Sequence, residues 1–413
     1  MASDALSLSY DELQAWLRLT LTPSLGNAAI RRLLVQFGTP PSVLTQSPAD
    51  WRACLSQSQC MQLAQPPDTL PQALRRTWDW LQASTEAVQH TIIALGDPRY
   101  PPMLLQIEDP PLLLYATGAA RWLQRPAPLL DSSKALAVVG SRNPTAQGAE
   151  NARQFAQALA QHGWCVVSGL AAGVDAAAHT GALQADAAAE PSQPPTVAVV
   201  GTGVDRIYPR QNAALAHQIA ARGVILSEYA LGTPPIASNF PKRNRIIAGL
   251  SWGTLVVEAA MASGSLITAR LAAEQGREVF AIPGSIHAPQ SKGCHALLRQ
   301  GAKLVECAQD IWEELPATSP TPHPIHTSKP PQATLTAPNQ PEAAPSPAPA
   351  PSLPADGEHP LWQALGYDPM TLDALQAYSG WETAALQAWL LEQELEGHIA
   401  RLPGGRVQRI ARS

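Results

Sequence analysis

The chain is poor in charge and in aromatic rings: charged residues make up 15% of its 413 residues and aromatic ones 5%. It has no excess of positive charge, with 28 Lys and Arg against 33 Asp and Glu and a net charge of −5. A whole-surface basic field is therefore absent, and any nucleic-acid binding must come from a local patch. The five cysteines (Cys54, Cys60, Cys165, Cys294, Cys307) are odd in number and show no C-x-x-C spacing. This argues against a disulfide framework or a zinc site and fits a reducing cytoplasm. No run reaches the roughly 18 apolar residues of a membrane span. With Asp4 and Asp11 near its start and no apolar stretch after them, the chain is not expected to carry a secretory signal.

What it has is 45% hydrophobic residues, enough for a sizeable core and, at this length, two to four domains. Residues 1–85 read as a helical domain of the SAM or helix-hairpin-helix type. Tyr10 to Leu21 has helical apolar spacing with Asp11-Glu12 in its first turn. The small-residue turn Thr22-Pro23-Ser24-Leu25-Gly26 then leads into a second helix. Such a turn either holds a DNA phosphate or is a plain packing joint. Residues 86–134 read as a connector packed on the next domain, with turn chemistry at Gly96 to Pro102 and one short strand at Leu112 to Tyr115.

Residues 135–315 alternate between strands and helices. Ala135–Val139, Trp164–Val167, Thr196–Val200, Val224–Leu226, Gly253–Val257 and Val279–Ile282 are apolar without polar alternation. Strands of that kind are buried on both faces, which implies a parallel sheet covered by helices. The expected fold class is α/β, a doubly wound, mostly parallel Rossmann-like sheet. Residues 316–355 are about one-third proline and read as a disordered linker. Residues 356–413 read as three helices (His359 to Leu365, Leu372 to Tyr378, Glu382 to Leu395) and a hairpin, a winged-helix domain. Its helices carry Asp373, Glu382, Glu392, Glu394 and Glu396, which favours protein contact over duplex reading.

The most unusual stretch is Asn239-Phe240-Pro241-Lys242-Arg243-Asn244-Arg245-Ile246-Ile247-Ala248-Gly249-Leu250-Ser251. Proline at a first helical position would put Lys242, Arg243 and Arg245 in the first turn. Cations there oppose the helix macrodipole, which is easier to explain if an anion binds; the alternative is a solvated basic turn. In open α/β sheets ligands sit at the carboxyl ends of the strands. Three glycine turns fall there: Gly140-Ser141-Arg142, Ser168-Gly169 through Gly173, and Gly201-Thr202-Gly203. Glycines allow close backbone approach, and successive N–H groups make anion nests. The pattern lacks the G-x-G-x-x-G fingerprint and the Walker sequence, so no nucleotide cofactor and no metal are expected. Asp175 and His179, four apart on one helix, read as structural in preference to an acid/base pair. Phe240 and Tyr208 are candidate base-stacking rings, while Trp252 reads at least as well as core.

These motifs resemble the DprA (Smf) family. The resemblance rests on Gly140-Ser141-Arg142, Ser168-Gly169-x-Ala171-x-Gly173-x-Asp175-x-x-Ala178-His179, Tyr208-Pro209-x-x-Asn212, Phe240-Pro241-x-Arg243-Asn244-Arg245-Ile246-Ile247-Ala248-Gly249-Leu250-Ser251, Ala262 to Ala269 and Pro283-Gly284. It covers about 90–310, and the flanking domains match the layout of longer members. It implies a non-enzymatic, homodimeric DNA-processing protein of natural transformation that binds and protects incoming single-stranded DNA and loads RecA recombinase. Arg142, Lys242, Arg243 and Arg245 would contact phosphates, and the glycine turns would let the strand lie close. One departure is His295, where many members have asparagine. The rival is an enzyme: Ser251 to Glu258 distantly resembles the P-G-G-x-G-T-x-x-E loop of nucleotide phosphoribohydrolases, without its proline–glycine start.

Overall fold

A computed structural model describes residues 8–185, 192–314, 361–362, 365, 369–402 and 405–409. The chain opens with six helices: α1 (Tyr10–Leu21), α2 (Asn27–Phe37), α3 (Pro40–Leu44), α4 (Pro48–Trp51), α5 (Gln57–Ala64) and α6 (Leu70–Gln82). The Ser9 hydroxyl and the Glu12 carboxylate cap α1 reciprocally, satisfying N–H groups that a helix start leaves open. The α1 boundaries follow the sequence periodicity, and Leu13, Trp16 and Leu17 form its buried stripe.

A nine-stranded sheet follows, in the order β1-β2-β6-β5-β4-β3-β7-β8-β9. Its strands are β1 (Val88–Ala94), β2 (Leu113–Ala119), β3 (Ala135–Val139), β4 (Cys165–Ser168), β5 (Thr196–Val199), β6 (Val224–Ser227), β7 (Gly253–Val256), β8 (Glu278–Ala281) and β9 (Lys303–Leu304). From β6 across to β9 every pairing is parallel. The first two strands pair antiparallel with each other, and β2 pairs antiparallel with β6. Segment 86–134 is thus more than a connector resting on the sheet: it supplies two of the strands. The sequence reading missed β1 because Val88-Gln89-His90-Thr91 mixes polar with apolar residues. One face of this pair (Ile92, Ala94, Leu113, Tyr115) closes the helical domain's core. The other (Ile93, Leu114, Ala116) joins the core of the sheet.

Helices cover both faces: α7 (Ala120–Leu123), α8 (Ala146–Gln161), α9 (Val174–Gln184), α10 (Ala213–Arg222), α11 (Asn239–Leu250), α12 (Gly264–Glu274), α13 (Lys292–Arg299) and α14 (Ala308–Glu314). Strand β3 shows why its sequence does not alternate. Ala135, Ala137 and Val139 feed the core beneath α11 and α12, while Leu136 and Val138 feed the core beneath α8 and α9. Each buried Val or Leu side chain there contributes roughly 1.5–3 kcal/mol. The chain runs outward from β3 to β6, then returns to add β7 on the far side of β3. The reversal leaves a crevice at the carboxyl ends of β3 and β7, the usual ligand position in such sheets.

In the C-terminal region the helices Leu372–Ser379 and Thr383–Leu395 lie between the first and second strands of a three-stranded sheet of order β10-β12-β11. Its strands are β10 (Met370–Thr371), β11 (Ile399–Leu402) and β12 (Arg406–Arg409). The strand β10 was not anticipated. The expected linker at 316–355, and the first helix of this domain apart from Leu361, Trp362 and Leu365, lie outside the described residues.

Candidate nucleic-acid interface

Helix α11 begins at Asn239, with Ser238 as its N-cap residue, two residues before the position expected from Pro241. Proline is tolerated there because the first four N–H groups of a helix lack partners in any case. Lys242, Arg243 and Arg245 therefore lie beyond the first few positions and do not share one exposed turn. Helical spacing splits them: positions three apart share a face, adjacent ones do not. Arg243 and Asn244 line a cavity of about 450 Å³ at the crevice, together with Gly140, Ser141, Arg142, Asn143, Asp175, Phe240 and Ser263 to Ser265. Lys242 and Arg245 line a different cavity, of about 540 Å³, with Asn27, Asp109, Glu228 and Tyr229.

Arg245 is not a free cation. Its Nη1 and Nη2 donate to the two oxygens of Glu228 at 2.8 and 2.6 Å, and Nη2 also reaches Asp109 at 3.3 Å. Burial works against its charge, but the bonds to Glu228 outweigh burial and raise its pKa. Of the three cations, Lys242 is exposed. Arg243 is 4% exposed, and its Nε and Nη1 have no hydrogen-bond partner. Burial pushes its pKa down to about 10, against the pull of Asp175 and with the push of Arg142; it remains charged at neutral pH.

The three glycine turns serve packing more than ligand approach. A side chain on Gly140 would meet Val174 and the Glu258 carbonyl within 3 Å. Ser141 is half-buried and Arg142 exposed at the cavity. The second turn is a nest, as expected, but it holds the chain's own carboxylate. The N–H groups of Gly169 and Ala171 donate to Asp175 Oδ2 at 3.1 and 3.3 Å. Left-handed backbone at Leu170 (φ 57°) and Gly173 (φ 80°) turns the chain around it. Ser168 is fully buried and donates to the Val138 carbonyl at 2.6 Å. In the third turn, the Gly203 N–H donates to the Thr233 carbonyl and the Gly201 carbonyl accepts from Asn239. Ser168, Gly169, Gly201 and Gly203 are thus buried.

The exposed groups are aromatic and cationic. Tyr208 is 48% exposed, and its ring centroid lies 5.6 Å from that of Phe240 at a 40° tilt. The Arg142 guanidinium carbon sits 6.0 Å from the Phe240 centroid. A row of two rings and a guanidinium at the mouth of the cavity offers π-faces and positive charge together. Trp252 packs against the core beneath α8. Asn244 and the start of α12 were missed as site residues. Their signal was Ser263-Gly264-Ser265 ahead of an apolar run, a helix-start pattern, with the Ser263 hydroxyl capping the Ser265 N–H.

A family model described as DNA recombination-mediator protein A matches residues 91–316. The chain belongs to the DprA/Smf family. A second model, the DprA winged helix domain, matches residues 342–405, in keeping with the C-terminal fold. Protein Smf of Escherichia coli is 40% identical over 325 residues, 78% of each chain. DNA processing protein DprA of Streptococcus pneumoniae is 46% identical over 231 residues, 56% of this chain and 76% of that one. The X-ray structure of DprA from Streptococcus pneumoniae superposes with a TM-score of 0.59 at 36% identity, covering 76% of this chain and all of that one.

Other titratable groups of this DprA/Smf member are held by the fold. His179 is fully buried, with Nδ1 2.7 Å from the Thr196 hydroxyl. That hydroxyl donates to the Val166 carbonyl, so Nδ1 carries the proton. Burial, reinforced by Arg243, pushes the His179 pKa down to about 3. Burial also raises Asp175, against the pull of Arg243 and the two N–H groups. Glu258, the glutamate of the rival reading, accepts from the Thr145 N–H at 2.9 Å and hydroxyl at 2.6 Å at the start of α8. The departure at His295 is a local turn bond, from Nε2 to the Gly284 carbonyl at 3.0 Å. Among the described residues no three His, Cys, Asp or Glu side chains gather as a metal site, and no helix is long and apolar enough to cross a membrane.

Proposed function

We propose that this DprA/Smf member binds single-stranded DNA along the carboxyl edge of its sheet, protects the incoming strand in natural transformation and loads RecA recombinase onto it. The observation that carries the reading is the row Tyr208–Phe240–Arg142, with Phe240 half-buried between exposed neighbours, beside the buried, unpartnered Arg243. Stacking on rings with phosphates over fixed cations is how single strands are held without sequence preference. In this reading Arg142, Lys242 and Arg243 face phosphates, Arg245 braces the fold, and the acidic winged helix meets a protein. The protein acts in the cytoplasm as a homodimer, without catalysis.

The test is a binding series with single- and double-stranded oligonucleotides of several sequences at three or more salt concentrations. Preference for single strands irrespective of sequence is expected. Removing Arg142 and Lys242 together should flatten log K against log salt by about 1.4, at roughly 0.7 per lost phosphate contact. Equal or tighter binding to duplex overturns the reading. Release of free base from nucleoside monophosphates would establish the hydrolase alternative instead. Sedimentation tests the dimer, and RecA filament formation on an already coated strand tests loading.

A further inference from the structure

We propose that Asp205 is a positioning residue for base stacking: it ties together the two loops that deliver Tyr208 and Phe240, and through Arg76 it makes the helical domain part of that arrangement. The inference rests on the single-strand reading above. Tyr208 lies in the loop between β5 and α10, and Phe240 stands at the start of α11, just past the loop that follows β6. The Asp205 carboxylate spans both loops. Its Oδ1 accepts from the Gly232 N–H at 2.8 Å, and its Oδ2 accepts from Nη2 of Arg76 in α6. The Gly203 N–H donates to the Thr233 carbonyl at 3.1 Å between the same two loops. That bond alone leaves a hinge. The second tie, at Asp205, fixes the angle between the loops and with it the tilt of the two rings, whose centroids are 5.6 Å apart.

The helical domain forms the floor beneath this tie. Val204 from one loop, and Ala230 and Leu231 from the other, pack against its core. The fit is close: a side chain on Gly203 would strike Asp205 Oδ1 and the Gly232 nitrogen, and one on Gly232 would strike the Arg76 guanidinium. A carboxylate repels phosphates, so Asp205 is unsuited to contact the strand itself. Arg76 is engaged by Asp205 and lies outside the cavity beside Arg142.

The experiment uses the full chain with oligo(dT) and an abasic deoxyribose-phosphate tract of the same length, in a salt series, with melting curves as folding controls. Wild type should bind oligo(dT) at least about tenfold more tightly than the abasic tract, since stacking acts on bases alone. Asp205→Ala should weaken oligo(dT) binding about tenfold and Arg76→Ala about threefold. Both should leave abasic binding within about twofold of wild type and the salt slope unchanged. In a Tyr208→Ala background, with no ring pair left to align, Asp205→Ala should add less than about twofold. Equal losses on the two tracts, or the full loss in the Tyr208→Ala background, give Asp205 a structural role only and overturn the proposal. Tighter binding of both tracts by Asp205→Ala makes it merely a like charge, and overturns it too. If Asp205→Ala does not fold, Arg76→Ala decides alone, because its side chain is 47% exposed and its loss spares the core: selective weakening on oligo(dT), restored by Arg76→Lys, is expected, and wild-type affinity overturns the proposal. Wild-type protein that binds both tracts equally sinks the stacking role while leaving single-strand binding in place. Failure to bind either tract sinks the single-strand reading itself, together with this inference.

Discussion

Arg245 separates two roles that its sequence context cannot. Replacing it with alanine leaves Glu228 (13% exposed) without its two-bond partner and Asp109 (44% exposed) with Arg31 and the Asn27 amide. Breaking a fully buried pair costs about 3–5 kcal/mol, and an exposed pair about 0–1 kcal/mol. Glu228 lies near the buried limit and Asp109 near the exposed one, so we expect a loss of about 2–3 kcal/mol. At roughly 2–4 °C per kcal/mol for a unit of this size, the melting point should fall by about 5–10 °C. Replacing the pair together, as Arg245→Met with Glu228→Leu, should cost less than the sum of the single changes, since no charge is then stranded. The assays are thermal melts of the two single variants and the double, with single-strand affinity across a salt series. The salt slope of Arg245→Ala should match wild type. An unchanged melting point with a slope lower by about 0.7 would make Arg245 a phosphate contact after all and refute the reasoning.

Three further outcomes are expected. His179 is held neutral when folded, with a pKa near 3, while the unfolded imidazole takes its proton near pH 6.5. Stability from this group is therefore full above pH 6.5 and lost as the pH falls, by about 2 kcal/mol between pH 7 and 5; a His179→Gln melt series should be flatter over that range, and a parallel one refutes the assignment. Gly181→Ala in α9 should destabilise by about 1–3 kcal/mol through overpacking, although alanine normally favours helices, because its Cβ would stand 2.0 Å from the Arg153 carbonyl oxygen; a raised melting point sinks this. A chain cut after residue 315 should stay folded and keep its single-strand affinity, and an insoluble or non-binding product places the boundary or the site wrongly.

The strands and helices that the sequence revealed best are those whose apolar pattern depends on the element alone. Strand β3 and helices α1 and α8 needed only a buried run or a helical repeat. Strand β1 was hidden because its pairing with β2 decides it, and Gln89 and His90 carry no strand signature. The candidate site was legible as motifs but not as roles. Lys242, Arg243 and Arg245 are near neighbours in the chain, yet the helix sends them to two cavities. No local signal tells that Arg243 is sealed against Gly169, or that Arg245 is claimed by Glu228 from another strand's end. The anion-binding look of the Ser168–Gly173 turn was genuine physics. The anion is Asp175, and only the fold brings its carboxylate back onto the turn.

The antiparallel pair β1–β2 has a practical consequence. At the far end of the sheet, β9 is only two residues long and carries Lys303, paired with Glu278 and Glu314, a guarded margin of the kind that discourages strand addition. Strand β6 has no such protection of its own, since β2 supplies it. A fragment begun at residue 135 would strip that cover and bare the backbone of a strand that is apolar up to Ser227, inviting self-association. The smallest soluble piece of the sheet therefore has to start ahead of Val88. Expression trials that trim to the first parallel strand would be expected to yield aggregates whose cause lies in the missing neighbour and not in the site.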